Sequence, residues 1–513
     1  MKKIVTSIGL ALASTVAMAT DYTDMLTVRI NGMDVAQQPT TIVIHQQENG
    51  LYTLQLDNFM LGAEMPVGNI RLTDVPSDIN GETTALQVLQ QVNITPGTIP
   101  GLGEGDYLGP MLGTIPVCVK GEVTGSELYA VISIDLTATL GQNIVCTFGT
   151  GGYQLKNAGF ENFHTATMGD ATSDEPNNWH SFMSCSGAYA QLVGKVPHTF
   201  ISDDVRPGSL GTKSVLVKSG KVLGFVVANG TITTGRLQAG AMSATDPKNC
   251  SFSDPIQTDK DANGDPFHAD FKGMPDSLTV WVKFSQETPQ EAHPYATINA
   301  VITDGSYYQD PEDKAYDNYL AKATCATIES QGGAWQRLSI PFVYEEGKPL
   351  APKAMHVTLS TNADPGQGTG SDSLLVDDLT LVYNSGISHL SVKGKELTPN
   401  AGSNVYETEL AEEVNLSDIE VTADGKGAKT SVTLETMDGG VKALITVTAG
   451  DLKSNDYQLL IKGATMTTGI RNVGTEENHA SERYSLNGYR LNESRKGLVI
   501  ERNAKGVRKI LAK

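Results

Sequence analysis

The chain has 513 residues, 58 acidic against 38 basic, for a formal net charge of -20. That length exceeds a single hydrophobic core and points to about two to four domains. An acidic surface repels polyanions, which disfavours nucleic acid as a partner; beyond that, the charge speaks to solubility rather than fold.

Met1-Lys2-Lys3 is a basic n-region, Ile4 to Val16 is mostly apolar, and Ala17-Met18-Ala19 is a cleavage site of small residues. Residues 1–19 therefore read as a secretory signal peptide. The apolar run is too short to span a membrane, no later run reaches that length, and no cysteine stands at the cleavage point to carry a lipid. Export permits disulfides. The five cysteines, Cys118, Cys146, Cys185, Cys250 and Cys325, match no zinc signature. Cys118 and Cys146 are either a bridge or two buried thiols.

Residues 21–150 read as all-β. Met25 to Ile30 alternates before Asn31-Gly32, Thr41 to Ile44 is β-branched, and Leu51 to Leu56 alternates after Asn49-Gly50. Asn-Gly between alternating runs is a strong hairpin signal. Further strands are expected at Val67–Leu72, Ile115–Val119, Leu128–Leu136 and Ile144–Phe148, a series that suits a closed barrel or a sandwich. Asp57-Asn58-Phe59, Pro66-Val67-Gly68-Asn69-Ile70 and Gly141-Gln142-Asn143-Ile144-Val145 resemble the calycin-like barrel domain of secreted bacterial proteins. The resemblance implies a barrel whose lumen either holds a small apolar ligand or is filled by its own side chains. The Gly- and Pro-rich stretch from Thr95 to Gly113 reads as an irregular surface excursion, and Thr150-Gly151-Gly152 as a hinge.

The next span, 153–383, carries strand patterns at Ser214–Lys218, Leu278–Phe284, Tyr295–Thr303, Gln336–Val343 and Met355–Ser360. It opens on Asn157-Ala158-Gly159-Phe160-Glu161, continues through Asn178-Trp179, and closes on Ser373 to Tyr383, which contains Val376-Asp377-Asp378-Leu379. In order and separation these motifs resemble the putative carbohydrate metabolism domain family, a surface jelly roll similar to carbohydrate-binding modules. The resemblance implies a jelly roll with a glycan-binding surface. In many extracellular jelly rolls the first and last strands meet near calcium, so Glu161, Asp377 and Asp378 are the expected oxygen ligands of a structural calcium ion. Neighbouring strand residues point to opposite faces, so one of the two aspartates faces inward unless a bulge intervenes. Such a carboxylate needs a partner: the cation, or else backbone N–H groups or a Lys or Arg.

Sugar recognition needs aromatic faces and polar groups around them. The span 153–383 holds all three tryptophans, Trp179, Trp281 and Trp335. Trp179 reads as a packing residue and Trp281 as core, while Trp335 opens a strand. Tyr307, Tyr308, Tyr316 and Tyr319 lie in a polar loop, where function concentrates. These four tyrosines and Trp335 are the candidate carbohydrate-binding residues. Asp259-Lys260-Asp261-Ala262-Asn263-Gly264-Asp265, with Asp270 at the twelfth position, has EF-hand-like spacing, but the last ligand is a short Asp and Pro266 breaks the expected helix. The preferred reading is an ordinary Asx/Gly turn. Catalytic signatures are absent: no Gly-x-Ser-x-Gly, His-Glu-x-x-His or P-loop occurs, and Asp203, Asp204, Glu287, Glu291, Asp304, Asp310 and Glu312 are acids without a motif.

Residues 387–463 read as a small β-sandwich spacer, with strands at Ile419–Thr422 and Val441–Val447. Residues 482–513 carry nine basic and three acidic side chains, a balance of +6. Tyr484-Ser485-Leu486-Asn487-Gly488, Lys496 to Ile500 and Val507 to Ile510 resemble C-terminal sorting tails read by export machinery. The expected protein is all-β: a calycin-like barrel, a jelly roll, a small sandwich and a short β tail. Its expected function is glycan binding at the outer cell surface, in the periplasm or outside the cell, without catalysis. A glycoside hydrolase on the same jelly roll and a structural or adhesive surface protein are the alternatives.

Overall fold

The structure is a computed structural model that describes residues 19–62, 64–349, 351–401, 403–466, 482–484, 497–503 and 506–512. The signal-peptide reading, apart from Ala19, lies outside the described residues, as does the tail at 485–496. The described residues are nearly all β. They divide into two compact units: residues up to Ser385 with 425–428 and 448–453, and the remaining C-terminal residues.

The first unit opens with nine strands: β1 (Ala19–Ile30), β2 (Met33–Gln46), β3 (Tyr52–Leu61), β4 (Met65–Val75), β5 (Ser77–Asn80), β6 (Thr83–Asn93), β7 (Thr114–Thr124), β8 (Glu127–Leu136) and β9 (Gln142–Phe148). They form one sheet in the order β4-β3-β2-β1-β9-β8-β7-β6-β5. The sheet curls because β9 returns to pair with β1, and β4 meets the segment after β6 through the Asn69–Thr95 bridge, 2.8 and 3.1 Å. Asn31 and Gly32 both adopt positive φ, as a tight hairpin turn requires. Alternate residues turn inward: Leu26 and Val28, Ile42 and Ile44, Leu54 and Leu56, Val117 and Val119 are buried together. The interior is thus packed with its own side chains.

Three readings are sharpened here. The stretch from Thr95 to Gly113 is the irregular surface segment expected, and it is anchored by Tyr107, which is 1% exposed and whose hydroxyl accepts the Ile99 N–H. None of the cysteines forms a disulfide. Cys118 on β7 pairs with Ser133 and Cys146 on β9 with Ile132, so β8 lies between them. Two strand spacings, roughly 9–10 Å, exceed the reach of a bridge. The glycines after Thr150 are packed closely: Gly151 has φ +56°, and a Cβ there would meet the Tyr129 side chain at 2.4 Å.

After the barrel come two hairpins and a series of short strands. β10 (Phe163–Met168) pairs with β11 (Ala171–Pro176), followed by β12 (Thr199–Ser202) and β13 (Ser214–Lys218). β14 (Gly220–Val222) pairs with β15 (Val226–Ala228), and then come β16 (Thr231–Thr233), β17 (Arg236–Ala239), β18 (Asn249–Ser253) and β19 (Ala269–Asp270). The longer strands are β20 (Ser277–Ser285), β21 (Ala296–Thr303), β23 (Tyr319–Ile328), β24 (Gln336–Pro341), β26 (Ala354–Ser360) and β27 (Ser373–Val382). Between them lie β22 (Tyr308–Asp310) and β25 (Val343–Tyr344).

Two sheets face each other as a sandwich, ordered β12-β13-β27-β20-β24 and β16-β26-β21-β23-β25. Leu278, Val280, Val282 and Phe284 of β20 pack with Ile298, Ala300, Ile302, Val357 and Leu359 of the other sheet. That alternation turns Trp281 outward, against the core reading, and it is half-buried with the Arg206 guanidinium 5.8 Å from its ring. Trp179 is fully buried against Phe160, with its Nε1 donating to the Lys156 carbonyl. β17, β18 and β22 form a third small sheet.

The second unit has a four-stranded sheet of Val405–Glu409, Ser454–Lys462, Gly440–Thr448 and Lys429–Met437, whose first pair is parallel. Val441, Ala443, Ile445 and Val447 alternate into its core with Leu459 and Ile461. Glu482–Tyr484, Gly497–Asn503 and Gly506–Ala512 form a three-stranded antiparallel sheet. Among the described residues no helix is long and apolar enough to cross a membrane.

Candidate functional site

The outer face of the sheet β16-β26-β21-β23-β25 is polar where the inner face is apolar. Thr297 and Asn299 of β21, Thr324 of β23, and Thr358 and Ser360 of β26 point away from the core, in step with the pleat. These residues floor a cavity of about 330 Å³. Leu237 and Ala239 of β17, together with Val226 and Val227 of β15, make an apolar wall. Phe182 and Tyr189 line it from one side; Leu223 and Met242, 58% and 61% exposed, line it as well. The volume lies within the roughly 300–1,000 Å³ of small-ligand pockets.

A hydrogen-bonded network runs through the floor. The Thr324 hydroxyl donates to Asn299 Oδ1 at 2.6 Å. Asp310 bonds both Asn299 and Thr358, and burial pushes its carboxyl above the usual carboxylate range against the pull of those bonds. Ser251 Oγ lies 2.6 Å from Thr358 Oγ1 and 2.7 Å from His356 Nε2. Burial holds His356 down at about 3, so its ring is neutral. Asn229 donates to the Asp364 carbonyl, while its own buried Oδ1 has no protein partner. Asp310 is the only carboxylate among the described residues that line the cavity.

The tyrosine loop contributes Asp310 and Pro311 to this wall, but its tyrosines line none of it. Tyr307 stacks on Phe252 at 5.8 Å and donates to Gln309. Tyr308 is 1% exposed, which leaves its ring no surface to offer a sugar, and its hydroxyl donates to Glu312. Tyr316 packs on Tyr308 and donates to Asp313. Tyr319 lies under the ammonium groups of Lys322 and Lys348. Trp335 lies away from the cavity, with Nε1 donating to Asp204 at 3.0 Å.

Glu161, Asp377 and Asp378 are drawn to protein partners. Glu161 accepts the N–H groups of Thr212 and Lys213 at 3.0–3.1 Å. Asp378 accepts the Arg206 guanidinium at 2.6 Å. Asp377 is fully buried, and its Oδ2 accepts the Arg206 N–H at 2.9 Å while its Oδ1 has no partner. A bulge does intervene: Asp378 has φ +42° and the β20–β27 register slips beside it. The three carboxylates do not form a group of converging ligand atoms among the described residues, whereas His164, Glu175 and Asp261 do, within 4.8 Å.

The Asp259–Asp270 loop folds as the expected turn, with Asp261 Oδ1 accepting the N–H groups of Asn263 and Asp265 at 2.9 and 2.8 Å. Asp259 pairs with Arg236, and the Asp270 side chain is 85% exposed. Sequence reasoning passed over Asn299, Thr324 and Thr358 because single polar residues on alternating strands read as ordinary solvent-facing positions. It also passed over His164, Glu175 and His180, which no short motif connects.

No curated protein matches this chain. Among solved structures, a cyclase from Fischerella sp. TAU is 14% identical, covers 44% of this chain and 94% of its own, and has a TM-score of 0.19. The same cyclase in complex with 4-(1H-indol-3-yl)butan-2-one gives the same figures. The mosquito-larvicidal Cry4Aa toxin from Bacillus thuringiensis is 9% identical over 71% of this chain and 52% of its own, at a TM-score of 0.17. Scores this low carry no argument for fold or function. Residues 18–151 match the family model for the calycin-like beta-barrel domain. With the curled nine-stranded meander and its filled interior, that match makes the N-terminal part of this chain a calycin-like β-barrel domain.

Proposed function

We propose that this protein is an exported glycan-binding protein whose central sandwich takes a sugar in the cavity over the β21–β26 face. One observation carries the reading: a floor of hydroxyl and amide groups, Thr297, Asn299, Thr324, Thr358 and Ser360, opposes an apolar wall. A sugar ring has that division, with an apolar face and a rim of hydroxyls, and a pocket with few fixed polar groups orients such a ligand. A glycosidase needs two carboxylates about 5–10 Å apart across the bond. Asp310 alone lines this cavity among the described residues, which favours binding over hydrolysis. The leader-like residues 1–19 and the basic tail at 482–513 support export, the tail as a signal for surface machinery.

The test is a panel of polysaccharides and host glycans presented to the full chain and to its Asp310→Ala variant. Retention of one glycan class by the parent and its loss in the variant supports the reading. Absence of binding across the panel, or binding unaffected by Asp310→Ala and by Asn299→Ala, refutes it. Release of reducing sugar would instead establish hydrolysis. Deleting 482–513 should leave a folded protein that no longer reaches the surface.

A further inference from the structure

Three side chains, His164, Glu175 and Asp261, converge beside the β10–β11 hairpin, and His180 stands next to Asp261. His164 stands on β10, Glu175 on β11 and His180 in the segment after it. Asp261 reaches them from a loop pinched by the Lys260–Pro266 bridge. His164 Nε2 lies 3.4 Å from Asp261 Oδ2 and 3.8 Å from Glu175 Oε2. His180 Nε2 lies 3.5 Å from the same Asp261 oxygen. The side chains of Glu175, His180 and Asp261 are 0% exposed and that of His164 10%. All four of these atoms lack a hydrogen-bond partner.

On three of the four residues the other polar atom is engaged, so the orphaned one is fixed in direction. Glu175 Oε1 accepts the Ser181 N–H and the Ser181 and Ser184 hydroxyls. Asp261 Oδ1 is held by the turn of its own loop. His164 Nδ1 lies 3.2 Å from Asn177 Oδ1, a bond that places the proton on Nδ1 and leaves the lone pair on Nε2. His180 is set by its backbone bridge to Thr233 and by the Phe267 ring at 4.6 Å; its Nδ1 has no partner. The loop is tied back to the hairpin side by Asp265, whose Oδ2 accepts the Asn178 N–H.

Direct ion pairing with protonated histidines explains the cluster poorly. Charge-assisted N–H to carboxylate bonds run about 2.7–2.9 Å, and the gaps here are 3.4–3.8 Å. Ligand atoms on a tetrahedron with bonds of about 2.0–2.2 Å stand roughly 3.3–3.6 Å apart. One imidazole with two carboxylates suits zinc; calcium takes about six to eight oxygens. The two carboxylate charges would cancel a dication in a buried place. A cavity of about 200 Å³ bordered by Glu175 and Asp261 gives a route in. Arg236 and Lys260 border it too, and Arg236 is committed to Asp259 and the Ser184 carbonyl.

We propose that His164, Glu175 and Asp261 bind one zinc ion in a structural site, with His180 beside Asp261, that staples the β10–β11 hairpin to the 259–270 loop. The site is separate from the glycan cavity and stands or falls independently of it. The test is elemental analysis of the full chain purified without chelator, followed by zinc and cobalt titration of the chelated protein. The expected result is one zinc per chain, with the strong visible absorption of tetrahedral cobalt on substitution. Asp261→Asn keeps the side-chain volume and the Oδ1 acceptor, and should weaken zinc binding by at least the roughly 10- to 100-fold that loss of an outer-shell partner costs. If His164→Ala fails to fold, Asp261→Asn carries the test. A folded chain without zinc that takes none up after chelation overturns the proposal, as does an Asp261→Asn variant that binds zinc as tightly as the parent.

Discussion

Two carboxylate groups in the central sandwich have similar compositions and opposite fates. At the join of the first and last strands, Glu161 and Asp378 spend their oxygens on backbone N–H groups and on Arg206, leaving only Asp377 Oδ1 buried and alone. Beside the β10–β11 hairpin, Glu175 and Asp261 each have one oxygen satisfied and one aimed at an imidazole nitrogen that also lacks a partner. A count of acids does not distinguish the two places; the direction of unsatisfied atoms does. Buried polar groups are nearly always hydrogen-bonded, so several orphans meeting at one point mark a missing ligand.

The largest effect that could break this comparison is metal linkage. Zinc at about a thousand times its dissociation constant should stabilise the chelated protein by about 4 kcal/mol. Glu175→Gln should remove that gain in a thermal or urea melt. Next is acid sensitivity. His198 is a buried histidine whose Nδ1 bonds the Lys218 carbonyl and whose burial holds it down at about 4, against an ordinary 6.5. Its folded value lies below its unfolded one, so its stabilising contribution is complete above about pH 6.5 and is lost as pH falls toward 4. Roughly 3 kcal/mol should disappear over that window, and His198→Gln should flatten the urea-midpoint profile there.

Asp377 has the opposite sign. Burial pushes its carboxyl up to about 6, so ionisation costs stability above that pH and nothing below the ordinary 3.8. Asp377→Asn should stabilise the protein by about 2–3 kcal/mol near pH 7.5 and leave it unchanged near pH 3.5. If Asp377→Asn destabilises at neutral pH, a cation rather than Arg206 serves that carboxylate. The smallest effect belongs to the glycan cavity, where Asp310→Ala should weaken sugar binding by about 10- to 100-fold, the worth of one hydrogen bond to a charged or strongly polar group. Tyr316→Phe, outside that cavity, should leave binding within about twofold and stability within about 0.5 kcal/mol.

Much of the fold was legible because burial imposes a period. β13, β20 and β26 are dense in apolar residues, and the turns at Asn31-Gly32 and Asn49-Gly50 stand where Asn-Gly pairs predicted them. β6 escaped because its alternation is broken on both faces: Gln90 falls on the inward face with buried Leu86 and Val92, and Leu89, 73% exposed, falls on the outward one. Trp281 was misplaced by one step of the pleat, since its size suggested core while its neighbours Val280 and Val282 hold the inner face. The sites were less legible for a different reason. The cavity floor is assembled from strands scattered between Thr297 and Ser360, and the zinc ligands from His164 to Asp261. Asp261 did stand out, but as part of a calcium-like spacing within one loop; its free oxygen faces His164 on β10 and His180 after β11. Local spacing cannot show a site that only tertiary packing assembles.

The most direct measurement is one thermal melt of the chelated full chain, divided between buffer, zinc and calcium. The account predicts that zinc raises the melting temperature and calcium leaves it where it was, in the parent and in Glu161→Gln alike. A rise with calcium that vanishes in Glu161→Gln, with no response to zinc, would contradict it.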